Sequence, residues 1–152
     1  MFDPVRTAAT GRALSIESES RYRFERGVDP ASVLPGIEEG RFLTGEDTPE
    51  RIAAWYRQRG TRLVVVKLGA LGAYYDSDIA GSGTMPAFPV TEVVDTVGAG
   101  DGFAVGVISA LLEGRSVPDA VRRGAWIGAR AVQVLGDTEG LPTRAELQEA
   151  KL

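Results

Sequence analysis

A run of small residues between two aspartates is the part of this chain best suited to chemistry. It reads Asp95-Thr96-Val97-Gly98-Ala99-Gly100-Asp101. An apolar, helix-like segment follows, and a glycine-rich turn at a helix start leaves backbone N–H groups unpaired and convergent. That arrangement predicts an anion site. A carboxylate at its mouth, Asp101, suits proton removal from a hydroxyl that attacks a bound phosphate. The stretch therefore predicts phosphoryl transfer to an alcohol.

Plainer interpretations of the same residues stay open. The glycines at 98, 100 and 102 are also what a tight strand-to-helix connection needs. Asp101 also suits the role of a simple first-turn helix charge. The combination favours the catalytic interpretation, because a turn that only holds a phosphate has no need of a carboxylate at its mouth.

The composition predicts a soluble globular protein of one domain. The chain has 152 residues, of which 43% are hydrophobic and 25% charged. Its formal net charge is −4 and its pI is about 4.9. A chain of this length can bury a real core. The acidic balance implies no basic face, which argues against nucleic acid or an anionic membrane as a main partner.

The residue types that are missing narrow the chemistry further. The chain has no cysteine and no histidine, which excludes disulfide frameworks, thiolate chemistry, histidine-based triads and the common zinc sites. A general base must then be Asp, Glu, Lys or Tyr. No apolar run approaches membrane-spanning length and the N-terminus lacks a signal-peptide core, so we expect a cytoplasmic protein.

The hydrophobic pattern predicts an α/β alternation. Residues 63–68 form a continuous, valine-rich apolar run, which is typical of a strand buried on both faces. Further strands are expected at residues 73–75 and 88–94, with a glycine-rich hairpin or loop at 80–84. Helices are expected over residues 3–14, 35–45, 48–60, 100–113 and 116–134, and after a capping box at Thr143 and Glu146.

Four stretches of the chain, which occur in the same order and spacing as the motifs of one enzyme family, resemble that family. Asp95-Thr96 with Gly98 to Asp101 matches the signature of ribokinase-like, or PfkB-type, carbohydrate kinases. Residues 35–45, 64–72 and 136–143 resemble three further family motifs, and the last of these resembles the tail of kinases for 2-keto-3-deoxygluconate. The resemblance covers about residues 32–147. It implies the C-terminal part of a three-layer α/β/α fold with a mostly parallel sheet.

The resemblance assigns roles at the glycine-rich turn that agree with its chemistry. Asp101 is expected to be the general base that takes a proton from the sugar hydroxyl, a function worth about 10²–10⁴-fold in rate. Asp95 resembles a position near a monovalent-cation site. The anion hole for the transferring phosphoryl group is expected to consist of the backbone N–H groups of Gly98, Ala99, Gly100 and Asp101.

Contacts with ATP and Mg²⁺ are implied elsewhere by the same resemblance. Glu39 matches an acid that helps to place Mg²⁺ through water, although acids on short exposed helices are usually solvated. Gly69 and Gly72 would let the backbone approach the nucleotide, although alone they indicate only a hairpin turn. Lys67 follows the apolar strand and is a candidate phosphate contact, and the plainer interpretation is a lysine that faces solvent. The adenine pocket would be lined by Ala129 and Val132.

The chain departs from the family pattern in sequence and in length. Gly36 and Ala125 each stand where the family normally has Asn, and the neighbouring Trp126 either fills part of the adenine pocket or packs in the core. Full kinases of this family are much longer, and the missing N-terminal half carries most sugar contacts. We therefore expect a homo-oligomer, or a separate N-terminal half, acting on a small sugar or sugar acid such as 2-keto-3-deoxygluconate.

The N-terminal residues resemble a different protein. Residues 2–30 are similar to a segment of the beta subunit of bacterial phenylalanyl-tRNA synthetase, most clearly in Tyr22-Arg23-Phe24-Glu25-Arg26-Gly27-Val28-Asp29-Pro30. The sequence thus predicts a chimera, with a synthetase-like segment over residues 1–30 and a kinase half-domain over 31–152. Three functions stay open: an ATP-dependent sugar-acid kinase module, an inactive fold that at most binds nucleotide, and a synthetase-related interaction module.

Overall fold

The computed structural model describes residues 32–152. The helix expected over residues 3–14 and the synthetase-like segment over 1–30 lie outside the described residues. The helices are α1 (Ile37–Thr44), α2 (Pro49–Arg57), α3 (Ala99–Leu112), α4 (Val117–Ala131) and α5 (Arg144–Glu149), and the strands are β1 (Ser32–Val33), β2 (Leu63–Lys67), β3 (Ala73–Ser77) and β4 (Gly81–Met85). A short 3₁₀ turn, Gly69–Leu71, joins β2 and β3.

The four strands form one sheet in the order β1-β2-β3-β4. β1 and β2 run parallel, whereas β2 pairs with β3, and β3 with β4, in antiparallel fashion. The α/β class is confirmed, but the expectation of a mostly parallel sheet is wrong for the described strands. The reason is connection length. The segment that holds α1 and α2 is long enough for a parallel crossover from β1 to β2, while the two later connections are too short for one.

Helices cover both faces of the sheet, as the expected three layers require. Successive side chains of a strand point to opposite faces. Val64 and Val66 accordingly pack with Ile52 of α2, while Val65 packs with Val107 of α3 on the other face. Since β2 is buried on both faces, its unbroken apolar run is explained. α1 and α2 lie on the first face, and α3 and α4 lie on the second.

Residues 88–94 are not a strand, contrary to the expectation from their apolar character. Pro86 and Pro89 lack the N–H that a strand ladder needs, and Val93 is 56% exposed. The segment is held instead to the end of α4, where the Val94 N–H donates to the Val132 carbonyl at 2.8 Å. At residues 80–84 the expected alternatives resolve as a hairpin, because β4 pairs with β3.

The helix starts agree with the sequence signals. Three hydroxyl side chains accept the backbone N–H three residues further on, each at 3.3 Å, and they belong to Thr48, Ser116 and Thr143. Glu146 completes the predicted capping box of α5. α1 ends at Gly45, whose φ of +75° suits glycine. None of the helices in residues 32–152 has the length and apolarity to cross a membrane.

Two glycines bring α3 and α4 into backbone contact. A Cβ on Gly106 would lie 2.7 Å from the Gly124 Cα, and a Cβ on Gly124 would lie 2.8 Å from the Phe103 carbonyl oxygen. Neither position has room for a side chain, so the helices meet at closer range than ordinary side-chain packing allows. This contact fixes the axis of α3 and hence the place where its first turn begins.

Candidate functional site

The glycine-rich turn lies directly before α3, with Gly98 at the helix N-cap. Gly98 has a φ of +75°, a left-handed conformation that residues with a Cβ rarely adopt. A Cβ there would also lie 2.6 Å from the Asp137 Cα. The turn therefore needs glycine at this position for two reasons, its backbone angle and the close approach of the loop over residues 136–140.

Three backbone N–H groups at this turn have no acceptor among residues 32–152, and they belong to Gly98, Gly100 and Asp101. The N–H of Ala99 makes a long contact of 3.4 Å with the Thr96 carbonyl. Unpaired first-turn donors at the positive end of a 14-residue helix attract an anion. The structure brings together the four residues predicted for the anion hole, with Ala99 the least available donor.

Lys67 reaches the same turn from the end of β2. Its Nζ atom lies 3.2 Å from the position that a Cβ would take on Gly100. The side chain is half-buried and forms no ion pair within the described part of the chain. The interpretation of Lys67 as a lysine that only faces solvent does not fit this position. Its charge raises the positive potential beside the unpaired donors.

Asp101 is exposed in the first turn of α3. No ion pair or side-chain hydrogen bond to this carboxylate occurs in the region that the structure describes. The carboxylate is therefore free to accept a hydrogen bond from a ligand hydroxyl. An unpaired carboxylate on the same helical turn as donors for an anion is the arrangement that the sequence predicts for phosphoryl transfer to an alcohol.

Asp95 holds the turn in place from its other side. Its Oδ1 accepts the Val97 N–H at 3.0 Å and its Oδ2 accepts the Gly136 N–H at 3.3 Å. These backbone hydrogen bonds, Val97 first and Gly136 second, lower the pKa of the Asp95 carboxyl below its ordinary value. Since both oxygens already have donors, the position of Asp95 is explained without a cation.

Glu39 lies at the start of α1, beside the end of β2. Its Oε2 accepts the Gly36 N–H at 3.2 Å, and Gly36 forms a parallel bridge with Lys67. Burial, and after it the charge of Glu39, raises the pKa of Tyr56 to about 12. Across residues 32–152 there is no group of three or more His, Cys, Asp or Glu side chains that could hold a metal. Glu39 and Asp95 thus do not combine into a metal site made by the protein alone.

The two glycines assigned to nucleotide approach differ in their surroundings. Gly69 has a φ of +59°, is exposed, and nothing lies within 4 Å of a Cβ placed on it. Gly72 has a φ of +101° and is buried, and a Cβ there would lie 2.7 Å from the Ala87 backbone nitrogen. Packing at the end of β4 therefore explains Gly72, while Gly69 leaves open space beside the backbone.

The residues predicted to line the adenine pocket lie at the end of α4. Ala129 and Val132 are both half-buried. The carbonyl of Val132 accepts the N–H groups of Val94 and Asp95 at 2.8 and 3.2 Å, which joins α4 to the segment before the turn. Trp126 packs under the Arg130 guanidinium, 5.0 Å from the ring centroid. Ala129 and Val132 are thus connected to the turn through the backbone of residues 94–95.

These elements meet at one edge of the sheet. β1 and β2 end there, α1 and α3 begin there, and the Gly36–Lys67 bridge joins the two strand ends. The Lys67 N–H donates to the Pro35 carbonyl at 2.8 Å, which holds the same junction. In open α/β sheets the crevice beyond the carboxyl ends of the strands is the usual ligand site. Lys67, Glu39 and the 98–101 turn share this edge.

Residue-type reasoning missed the contribution of the 136–140 loop. The backbone of Asp137 packs directly against Gly98. Gly140 packs against α4, where a Cβ on Gly140 would lie 2.7 Å from the Ala131 Cα. The Gly136 N–H donates to Asp95. The loop therefore shapes the turn from outside. Its signal in the sequence is the pair of glycines at 136 and 140, which the resemblance singled out without a physical role.

Comparison of the sequence with known proteins identifies its family. Residues 24–144 match the family model described as pfkB family carbohydrate kinase. This chain belongs to the PfkB family. The 2-dehydro-3-deoxygluconokinase of Bacillus subtilis is 56% identical to it over 114 residues, which are 75% of this chain and 35% of the relative. The resemblance to this family inferred from the four motifs is confirmed.

Solved PfkB structures share the fold. A PfkB protein from Polaromonas sp. JS666 has a TM-score of 0.73 and 58% identity, over 90% of this chain and 42% of that one. A putative ribokinase II from E. coli in complex with ATP and Mg²⁺ has a TM-score of 0.76 and 30% identity, over 88% of this chain and 42% of that one. The chain thus spans less than half the length of these proteins.

The second resemblance also has a counterpart. The phenylalanine–tRNA ligase beta subunit of Paramagnetospirillum magneticum is 70% identical over 37 residues, which are 24% of this chain and 5% of the relative. The partial match to the synthetase subunit is therefore confirmed as a similarity of sequence. The boundary between residues 30 and 31, and the origin of the segment, stay predictions.

Proposed function

We propose that this chain forms the phosphoryl-transfer half of an ATP-dependent carbohydrate kinase. The observation that carries the proposal is the first turn of α3, where unpaired N–H groups, the Lys67 amine and a free Asp101 carboxylate occur together. The match to the PfkB family model supports it. The E. coli relative solved with ATP and Mg²⁺ supports ATP as the phosphoryl donor.

In the proposed reaction the residues of the turn have two roles, removal of a proton and stabilisation of negative charge. The Asp101 carboxylate takes the proton of the acceptor hydroxyl as its oxygen attacks the terminal phosphorus of ATP. The N–H groups of Gly98, Gly100 and Asp101 stabilise negative charge on the transferring phosphoryl oxygens, together with the positive end of α3. Lys67 adds a mobile positive charge at the same place. The products are a phosphate ester and ADP.

Mg²⁺ fits the site as a partner of the nucleotide. This ion is usually held by one or two carboxylates with waters and substrate phosphates rather than by a protein cage, which agrees with the lack of a three-carboxylate cluster within residues 32–152. Glu39 is a better candidate than Asp95, because among residues 32–152 only its Oε2 accepts a hydrogen bond, whereas both oxygens of Asp95 do so. When bound, Mg²⁺ supplies charge neutralisation of the phosphates. The monovalent-cation site at Asp95 and the cytoplasmic location stay predictions.

The acceptor we propose is 2-keto-3-deoxygluconate or a close sugar acid. The 56% identity to the Bacillus enzyme supports this choice. Because the chain spans 35% of that relative, we propose that activity needs either assembly of several copies or a separate N-terminal half. The competing function, an inactive module that only binds nucleotide, predicts ATP binding without turnover.

Calorimetric titration with Mg·ATP tests the phosphate site. We expect saturable binding to the wild-type chain that is lost in Gly98→Val and weakened in Lys67→Gln. Arg122→Gln, which removes an exposed cation elsewhere, is the matched control and should bind as the wild type does. Gly98→Val is strained by its positive φ, so circular dichroism must show that it folds. Equal binding by Lys67→Gln and Arg122→Gln, with no loss in folded Gly98→Val, would refute the phosphate site.

A further inference from the structure

A pocket lies at the C-terminal end of α3, opposite the glycine-rich turn. It has a volume of about 250 Å³ and lies between the α3–α4 connection and α5. Twelve residues at 1.5 Å of rise each place Glu113 about 18 Å from Asp101 along the helix. We call it the basic pocket, because its wall contains one acidic side chain, Glu113, and four cationic ones, Arg115, Arg123, Arg144 and Lys151.

Arg123 forms the buried side of the basic pocket. Its side chain is only 2% exposed. It donates to the Glu113 carboxylate at 2.7 Å, to the Leu152 carbonyl at 2.9 Å and to the Ser109 hydroxyl at 3.3 Å. Its Nε–H finds no partner within residues 32–152. Burial of a guanidinium is costly unless its donors are satisfied, and one donor of Arg123 is left unsatisfied.

Glu113 alone does not balance the cations around it. The hydrogen bond from Arg123, and then the charges of Arg123, Arg115 and Arg144, lower the pKa of the Glu113 carboxyl. Within the described part of the chain, the side chains of Arg144 and Lys151 make no hydrogen bond or ion pair. Four cationic side chains thus face one acidic side chain and the oxygens of Leu152, the last residue of the sequence, in a protein whose formal net charge is −4.

Contacts with Leu152 account for only part of this cluster. Arg115 and Arg123 both donate to the Leu152 carbonyl oxygen, at 3.3 and 2.9 Å, so one donor of each guanidinium already has a partner. Arg144 is the first residue of α5, the end at which the helix dipole disfavours a cation. Lys151 has a φ of +55°, a left-handed conformation that is unfavourable for lysine. The helix dipole at Arg144 and the backbone angle of Lys151 are both unfavourable, and neither side chain has a protein partner within residues 32–152.

We propose that the basic pocket binds a small phosphate-bearing anion. Arginine forks match phosphate oxygens in pairs of hydrogen bonds, and a lysine adds a compact charge. The volume lies below the range of pockets for drug-sized ligands, so it suits inorganic phosphate or the phosphate ester of a small sugar. Arg144 and Lys151 contribute to the pocket wall from α5 and the residues after it, and Arg123 contributes from α4. The pocket is separate from the phosphoryl-transfer site and does not depend on it.

Binding of two probes to the full chain tests this site. Calorimetry with inorganic phosphate and with 6-phosphogluconate, at low ionic strength, should give saturable binding, and gluconate without phosphate should not bind. The double variant Arg144→Gln/Lys151→Gln should weaken binding at least about tenfold, which is 1.4 kcal/mol. Arg122→Gln removes an exposed cation that does not line the pocket and should bind as the wild type does. Tighter binding of 6-phosphogluconate than of phosphate identifies the sugar ester as the ligand, and the reverse identifies the free anion.

Backbone amide NMR shifts separate this pocket from the turn at α3. Saturating phosphate should move the amides of Glu113, Arg115 and Leu152, and should do so equally in Asp101→Asn and Gly98→Val. Shifts confined to residues 98–101 would overturn the proposal while leaving the proposed kinase site intact. Equal affinity of the double variant and Arg122→Gln, or no saturable phosphate binding to the wild type, would also overturn it.

Discussion

The two faces of α3 differ in how completely the other residues of the 32–152 region cover them. On the inner face, Val107 and Ala110 are fully buried against the sheet and α4. On the outer face, Val105, Ile108 and Leu112 are 54%, 49% and 84% exposed. Both faces are apolar. The helical spacing 101, 105, 108 and 112 places the proposed base at the start of the exposed row.

The difference separates two roles within 14 residues. The inner face fixes where the helix lies, and so where its first turn presents unpaired N–H groups. Within residues 32–152 the outer face is largely exposed, yet it carries Asp101.

The largest effect is expected from Asp101→Asn on the outer face. Loss of the general base should lower the rate of sugar-acid-dependent ADP release about 10²–10⁴-fold, because the acceptor hydroxyl then keeps its proton. The melting temperature should stay close to that of the wild type, since the carboxylate makes no side-chain hydrogen bond or ion pair within residues 32–152. Mg·ATP affinity, measured by calorimetry, should also be retained.

Asp119→Asn provides a control for this change. Asp119 is an exposed carboxylate in the first turn of α4, so it has the same helical position but lies outside the candidate site. Its ADP release should match the wild type. A rate loss in Asp119→Asn as large as in Asp101→Asn would show that the effect is not specific to the proposed base, and the two faces would then differ only in burial.

On the inner face, Gly106→Val should have the largest effect on stability. A Cβ at this position would lie 2.7 Å from the Gly124 Cα, which is backbone and unable to rotate away. We expect the free energy of unfolding to fall by about 3 kcal/mol, the upper part of the range for overpacked cores. Urea denaturation followed by circular dichroism measures it. Wild-type stability would mean that α3 and α4 can separate without cost.

A pair of valines two residues apart compares the two faces directly. Val107→Ala removes fully buried methyl groups and should cost about 2 kcal/mol. Val105→Ala removes the same groups from a side chain that is 54% exposed, and we expect a change within about 0.5 kcal/mol. Both variants gain equally in helix propensity, so their difference reports burial alone. Equal destabilisation in urea would show that the outer face is covered in solution.

The sequence predicted the inner face better than the outer one. The periodic apolar residues of α3, the valine run of β2 and the caps at Thr48, Ser116 and Thr143 all depend on local physics, and each was located correctly. The strand expected at 88–94 failed because Pro86 and Pro89 remove donors that hydrophobicity alone does not count. The antiparallel pairing follows from the short β2–β3 and β3–β4 connections. The sequence contains this information, but the expectation of a mostly parallel sheet followed the family resemblance instead.

The candidate site was predictable where one residue type has one physical use. Gly98 needs its positive φ, and the first-turn donors follow from the helix itself. The contacts between distant segments were not predictable in this way. Three such contacts connect residues 33 to 41 positions apart: Lys67 with Gly100, Gly98 with Asp137, and Asp95 with the Gly136 N–H. Such contacts depend on the packed arrangement, and no local pattern records them.

The smallest effect is expected from Asp95→Asn, which tests how the turn before α3 is held. The folded-state pKa of Asp95 is lowered from its ordinary 3.8 by the Val97 and Gly136 N–H groups, so the ionised form is the stabilising one. Its contribution is fully present above the unfolded pKa and is lost as the pH falls through the folded value. Urea stability measured from pH 6 to about pH 2 should therefore fall less steeply on the acid side in Asp95→Asn than in the wild type. The amide of Gly136 should exchange faster in the variant at neutral pH, because an amide oxygen is a weaker acceptor than a carboxylate. Identical acid profiles and unchanged exchange would mean that Asp95 does not brace the turn, and that packing of Gly98 against Asp137 suffices to hold it.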